Sequence, residues 1–205
     1  FDQDVLGWLS DELRRHRAAP GVVLDLRLNP GGNTFALSMA IAEFFRHRVD
    51  EGRVIRRSGR EHEAHSFAWN SAHYGGHVVI LTSAATASAA EIFTHVLQHH
   101  GRATVIGQKT AGAVIYARHY DLPGGGRLQV PVMDFVGLDG QRLEGRGVTP
   151  DIILPVPTFA ERRADHDVEL ATAEDVLEHE AASRVASVTA RIAPFGSQMA
   201  PASAR

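Results

Sequence analysis

Two short stretches of the chain carry residue types that could do nucleophilic chemistry. In the first, Thr86-Ala87-Ser88-Ala89-Ala90-Glu91-Ile92, a serine follows the apolar run His77 to Thr82 and opens a segment with apolar residues at helical spacing. A serine at a helix N-terminus sits where the macrodipole and the unpaired Ala89 N–H favour a developing negative charge. The second stretch, Asn29-Pro30-Gly31-Gly32, directly follows the apolar run Gly21 to Leu28. Gly31 and Gly32 have no Cβ, so their amides can approach a carbonyl closely or point outward at positive φ. Ser88 would then be a nucleophile, with oxyanion donors at Gly31, Gly32 and Ala89. Taken singly, each stretch also fits a plain description, a helix N-cap and a turn, and spacing alone does not decide between the two.

The elements that must position these residues follow from periodicity. Asp2 or Asp4 can cap a helix with Val5, Leu6, Leu9 and Leu13 on one face, ended by Pro20. Gly21 to Leu28 reads as a buried strand, and Thr34 caps a helix that ends near Arg48. Arg53 to Ser66 reads as a polar hairpin or loop, with an irregular stretch around Trp69 to Gly76. His77 to Thr82 is a second buried strand, the helix after Ser88 stops at Gly101, and Ala103 to Gly107 is a third strand. Tyr116 to Leu122, Leu128 to Val132 and Asp151 to Val156 read as short antiparallel strands between Gly and Pro clusters, before a last helix from about Asp167 to Ala182. The order predicts an α/β layer with helices packed on a mixed sheet, and ligands beyond the carboxyl ends of its strands.

Composition narrows the function. With 205 residues, 44% of them hydrophobic, the chain can bury a core of ordinary size. A net charge of -3 offers no basic excess to a phosphate backbone, which argues against a nucleic-acid partner. No apolar run approaches the roughly 20 residues that span a bilayer. The absence of cysteine excludes disulfides and thiolate metal sites and fits any redox compartment.

Four segments in register, LDLRLNPGG, ATASAAEIFTHVLQHHGRATVIGQKTAG, LPGGGRLQV and LEGRGVTPDIILPV, resemble the core domain of the C-terminal processing (tail-specific) serine proteases, closest to their tricorn-core branch. The resemblance implies a ClpP/crotonase-like β-spiral core, with Ser88 as nucleophile and Gly31 or Gly32 with the Ala89 amide as the oxyanion hole. It makes Glu91 and Thr110 supporting residues. It also implies an extended or unfolded polypeptide substrate entering by its C-terminal tail, no metal and no cofactor. Residues 1–181 would be the protease core and 182–205 a disordered tail.

The sequence departs from the Ser-Lys type of this family. That type places its lysine base 25 residues after the serine, where this chain has Ala113, and Lys109, the only lysine, stands four residues earlier. A serine hydroxyl nevertheless needs a base at neutral pH. The tricorn-type branch uses a His, a second Ser and a Glu, and its Glu carries over to Glu144, which also reads as a surface carboxylate in a glycine-rich loop. The family's His lies upstream of the core. Because the chain opens at Phe1 without an initiator Met, it is expected to be part of a longer enzyme whose base is on the absent segment.

Among histidines within the chain, His95, His99 and His100 lie about 10 Å or more down the helix from Ser88 and read as surface residues. His73, His77 and His119 stay open on spacing. His62 and His65 with Glu61 and Glu63 lack the helical i, i+4 pairing of metallopeptidases and read as a solvated loop. Two rivals remain: a catalytically silent module of the same fold that binds peptides or apolar ligands, and a crotonase-type acyl-CoA enzyme. The oligomeric state is open. The compartment is open too, with exported relatives pointing to the cell envelope or periplasm.

Overall fold

The run His77–Thr82 forms a strand whose last five residues are fully enclosed, because helices cover both faces of its sheet. The computed structural model describes residues 2–67, 73–158 and 167–192. In chain order these form α1 (Gln3–Arg15), β1 (Gly21–Asp25), α2 (Thr34–Ala42), β2 (Asp50–Arg56), β3 (Glu61–His65), β4 (His77–Thr82), α3 (Ala89–His99), β5 (Ala103–Gly107), β6 (Tyr116–Asp121), β7 (Arg127–Val136), β8 (Ile152–Ile153) and α4 (Val168–Ile192). They build two four-stranded sheets, one parallel in the order β1-β4-β5-β8 and one antiparallel in the order β3-β2-β7-β6.

Alternation along β4 divides the core between the two faces of the parallel sheet. Val78 and Ile80 join Leu97, Phe93 and the other apolar residues on the α3 side. Val79 and Leu81 face α4 with Ile106 and Ala173. Each such side chain, removed from water, contributes about 1.5–3 kcal/mol to the hydrophobic term. α2 packs against α1 and α3, so the two helices that follow the glycine turn and Ser88 lie side by side.

Several boundaries differ from those read in the sequence. β1 ends at Asp25, not Leu28, because the Asp25 carboxylate accepts the Arg27 N–H at 3.0 Å and turns the chain. Asn33, not Thr34, caps α2: its Oδ1 accepts the N–H groups of Phe35 and Ala36 at 2.8 and 3.2 Å. That helix closes at Ala42 as i to i−3 bonds from Glu43 and Phe44 tighten its last turn. The polar stretch from Arg53 is a true hairpin, β2 and β3, which begins at Asp50. Of Asp151 to Val156 only Ile152–Ile153 is a strand, and it lies parallel to β5, not antiparallel. The last helix continues past Ala182 to Ile192, while residues 193–205 and the first half of the Trp69 to Gly76 stretch lie outside the described residues.

Candidate active site

The carboxyl ends of β1, β4 and β5 are stitched into one platform. Leu26 N–H donates to Leu81 O at 3.0 Å, and Thr86 Oγ1 and Ser83 Oγ donate to the carbonyls of Leu26 and Arg27 at 2.8 and 2.6 Å. Across the other edge, Thr82 and Gln108 exchange bonds of 2.9 and 3.0 Å. The two sequence stretches meet on this platform. Ala87 N–H donates to Asn29 O at 3.0 Å, and the Gly31 backbone lies against Ser88 so closely that a Cβ there would stand 2.6 Å from Ser88 Cβ and 2.8 Å from Ala89 N. With φ at 100°, Gly31 is glycine for reasons of both conformation and space.

Ser88 has φ 56° and ψ -123°, and it is the only non-glycine residue with positive φ among the described residues. This conformation costs about 1–3 kcal/mol and makes a sharp strand-to-helix turn at Ser88. Ala89 is the first residue of α3, and its N–H has no acceptor among the described residues. Gly31 gives its N–H to Asn29 Oδ1 at 2.9 Å, whereas Gly32 is exposed, at φ 148°, and its N–H has no acceptor among the described residues.

The strain is held by Glu91. Its carboxylate is fully buried and accepts four bonds: Ser88 N–H at 3.0 Å, Thr110 Oγ1 at 2.5 Å, Gly112 N–H at 2.7 Å and Ala113 N–H at 2.8 Å. Thr110 Oγ1 in turn accepts Val148 N–H at 2.7 Å, which ties in the loop after β7. Glu144 is half-buried, not a loose surface carboxylate: its Oε2 accepts the N–H groups of Val114 and Ile115 at 2.7 and 3.1 Å. It therefore pins the segment that leaves the Glu91 hub, and Gly145 N–H donating to Gly112 O at 2.8 Å closes the same contact.

Among the described residues no histidine is hydrogen-bonded to Ser88. His95 is buried, against the expectation of a surface residue. Its Nε2 accepts Leu138 N–H at 2.9 Å, and burial depresses its pKa to about 4, so the ring is neutral and structural. His99 and His100 are exposed as expected. His77, at the start of β4, is on the far side of a six-residue strand from Ser88 and meets Thr104 Oγ1 at 3.2 Å. His73 precedes it, and His119 is exposed on β6. Ala113 and Lys109 are both exposed, and Ala113 is bonded into the Glu91 hub through its backbone alone.

One residue had no signal in the sequence. Glu51 falls where the register between β2 and β3 slips between Asp50 and Gly52, so this acid turns inward and is only 3% exposed. It lines a cavity of about 340 Å³ with Ile92 of α3 and with Thr34 and Phe35 of α2. Its Oε2 accepts Ser38 Oγ at 2.9 Å, while Oε1 has no partner among the described residues. Burial pushes its pKa up to about 7, opposed by the Ser38 bond and by His65.

Known proteins are similar to this chain in sequence and fold. Residues 1–154 match the family model described as Peptidase family S41. The chain is 32% identical over 164 residues to the carboxyl-terminal-processing protease of Synechocystis sp., covering 78% of this chain and 38% of that protein. Its structure is similar to that of the photosystem II D1 C-terminal processing protease, at TM-score 0.65 and 25% identity, over 78% of this chain and 42% of that one. It is also similar to the tricorn protease, at TM-score 0.61 and 22% identity, over 78% of this chain and 15% of that one, a likeness of fold. The chain thus spans about two fifths of the length of the processing proteases it resembles. Since the match to the family model spans residues 1–154, well over half of the chain, the chain belongs to peptidase family S41.

Proposed function

We propose that this chain is the core of a serine endopeptidase of the C-terminal processing type, with the ClpP/crotonase-like β-spiral fold, acting on extended or unfolded polypeptides that enter by their C-terminal tail. Ser88 Oγ attacks the peptide carbonyl carbon as its proton passes to a histidine, which we assign to a segment upstream of these residues. The tetrahedral oxyanion is held by the Ala89 and Gly32 amides, with Gly31 as the close-packed backbone that aims them. Collapse expels the amine, which takes the proton from the imidazolium, and water then hydrolyses the acyl-enzyme. Glu91 and Thr110 hold the serine turn. Glu144 keeps Oε1 to orient the incoming base, since its Oε2 is committed to the backbone.

The observation that carries this reading is the pairing of a strained serine at a helix start with a glycine turn packed against it. A silent binding module would gain nothing from that strain, and an acyl-CoA enzyme has no use for a serine there. The test is hydrolysis of a fluorescent unfolded polypeptide by the full-length protein that contains this chain. Wild type is expected to cleave it, with at least a thousand-fold loss in Ser88→Ala at unchanged folding. Equal cleavage by both proteins would overturn the proposal, as would a folded wild type that cleaves nothing.

A further inference from the structure

The cavity that holds Glu51 is lined by Ile92 of α3 and by Thr34 and Phe35 of α2, the two helices that follow Ser88 and the glycine turn. Ile92 is one turn beyond Ser88 on the same face of α3, and side chains on a helix lean back over the preceding turn. Thr34 and Phe35 follow Gly32 by two and three residues. The cavity thus lies one helical turn from Ser88 along α3 and two to three residues along the chain from Gly32.

The lining is mixed, with Ser38, His62, His65 and Tyr116 beside apolar residues. Leu37, Val54, Ile92 and Phe135 offer a sleeve for a methylene chain, and Glu51 lies among them with Oε1 unpartnered among the described residues. A volume of about 340 Å³ is at the low end for binding pockets and suits one long side chain. His65 of the lining is in turn flanked by the exposed Asp50 and Glu63, at 2.8 and 3.6 Å from its two ring nitrogens. A buried acceptor without a donor is costly, and an apolar occupant would leave it so. Lysine or arginine would lay its stem along the sleeve and bring donors to Oε1.

We propose that this cavity is the specificity pocket of the active site and that Glu51 selects a basic substrate side chain, lysine or arginine, at the cleaved bond. The inference rests on Ser88 being the nucleophile, and its test separates the two. Full-length protein is titrated at pH 8 with three serine-directed probes: a plain alkyl fluorophosphonate, and peptidyl diphenyl phosphonates carrying lysine or norleucine at the position that fills the pocket. The lysine probe is expected to modify Ser88 about 100-fold faster than the norleucine probe. In Glu51→Gln that ratio is expected to fall at least ten-fold. Equal rates for the two peptidyl probes in wild type, beside reaction with the plain probe, would overturn the specificity proposal and leave the nucleophile standing. A ratio that survives in folded Glu51→Gln would also overturn it. No reaction with any probe would overturn both. The wild-type ratio decides even if the variant folds poorly.

Discussion

Ser88 occupies a backbone conformation that L-residues avoid, and the same strain is present whichever Cβ-bearing residue stands there. Ser88→Gly is therefore expected to be more stable than Ser88→Ala by about 1 kcal/mol, read as the difference in urea unfolding free energy. Equal stabilities would mean that the turn is not strained. Glu91 is the counterweight. Glu91→Ala would leave four donors, three of them backbone amides, without their acceptor in a buried site, and is expected to cost about 3–5 kcal/mol. A loss below 1 kcal/mol in the same urea experiment would show that water replaces the carboxylate at little cost. Ser88 and the glycines were legible in the sequence because their signal is local, a residue type at a strand-to-helix junction. Glu91 entered only through the family resemblance, as a supporting residue beside Thr110, because its bonds to Thr110, Gly112 and Ala113 come from a loop about 20 residues away and leave no local signal.

At the scale of elements, the site is a seam between two junctions, one leaving β1 and one leaving β4. Gly31 is the point of closest approach, so Gly31→Ala forces the seam apart by pushing a methyl against Ser88 and the Ala87 carbonyl. Ser88 is expected to lose reactivity toward a fluorophosphonate by about 100-fold or more, the size associated with loss of an oxyanion donor. Circular dichroism would report a fold that persists, and an unchanged labelling rate would remove Gly31 from the seam. The strands β1, β4 and β5 could be read from continuous apolar runs, since strands buried on both faces do not alternate with polar residues, whereas the single mixed sheet expected is two sheets, one parallel and one antiparallel. The errors fall where local pattern yields to partners. β8 is only two residues long and takes its direction from β5, and Glu51 faces inward because a bulge reverses the alternation that would have exposed it. His95 was placed correctly along its helix but not around it: the loop at Gly137 and Leu138 covers the face on which it lies.

At the scale of the molecule, Glu51 and His95 pull the pH dependence of stability in opposite directions. His95 has a folded pKa near 4 against an ordinary 6.5, so the stability tied to its neutral ring is complete above 6.5 and is lost as pH falls through 4. Glu51 has a folded pKa near 7 against an ordinary 4.5, so its contribution is complete below 4.5 and is lost as pH rises through 7. Each amounts to about 3 kcal/mol across its window, and between pH 4.5 and 6.5 the two slopes nearly cancel. Wild type is expected to show a nearly flat stability profile there, with a residual rise from His73, whose pKa burial also lowers. Glu51→Gln would unmask a rise with pH and His95→Gln a fall, each about 1.4 kcal/mol per unit. The groups facing Glu51 are His62 and His65 of the hairpin and Tyr116 of β6, so both variants are compared with wild type under the same buffer and salt. Parallel profiles in all three proteins would refute the assignment of these two groups.

The most direct measurement treats the full-length protein with a fluorophosphonate and locates the adduct by mass spectrometry, beside Ser88→Ala. The account predicts one stoichiometric adduct on the peptide containing Ser88, absent from the variant and slowed when Gly31 or Glu91 is changed. An adduct elsewhere, or none on a folded wild-type protein, would contradict it.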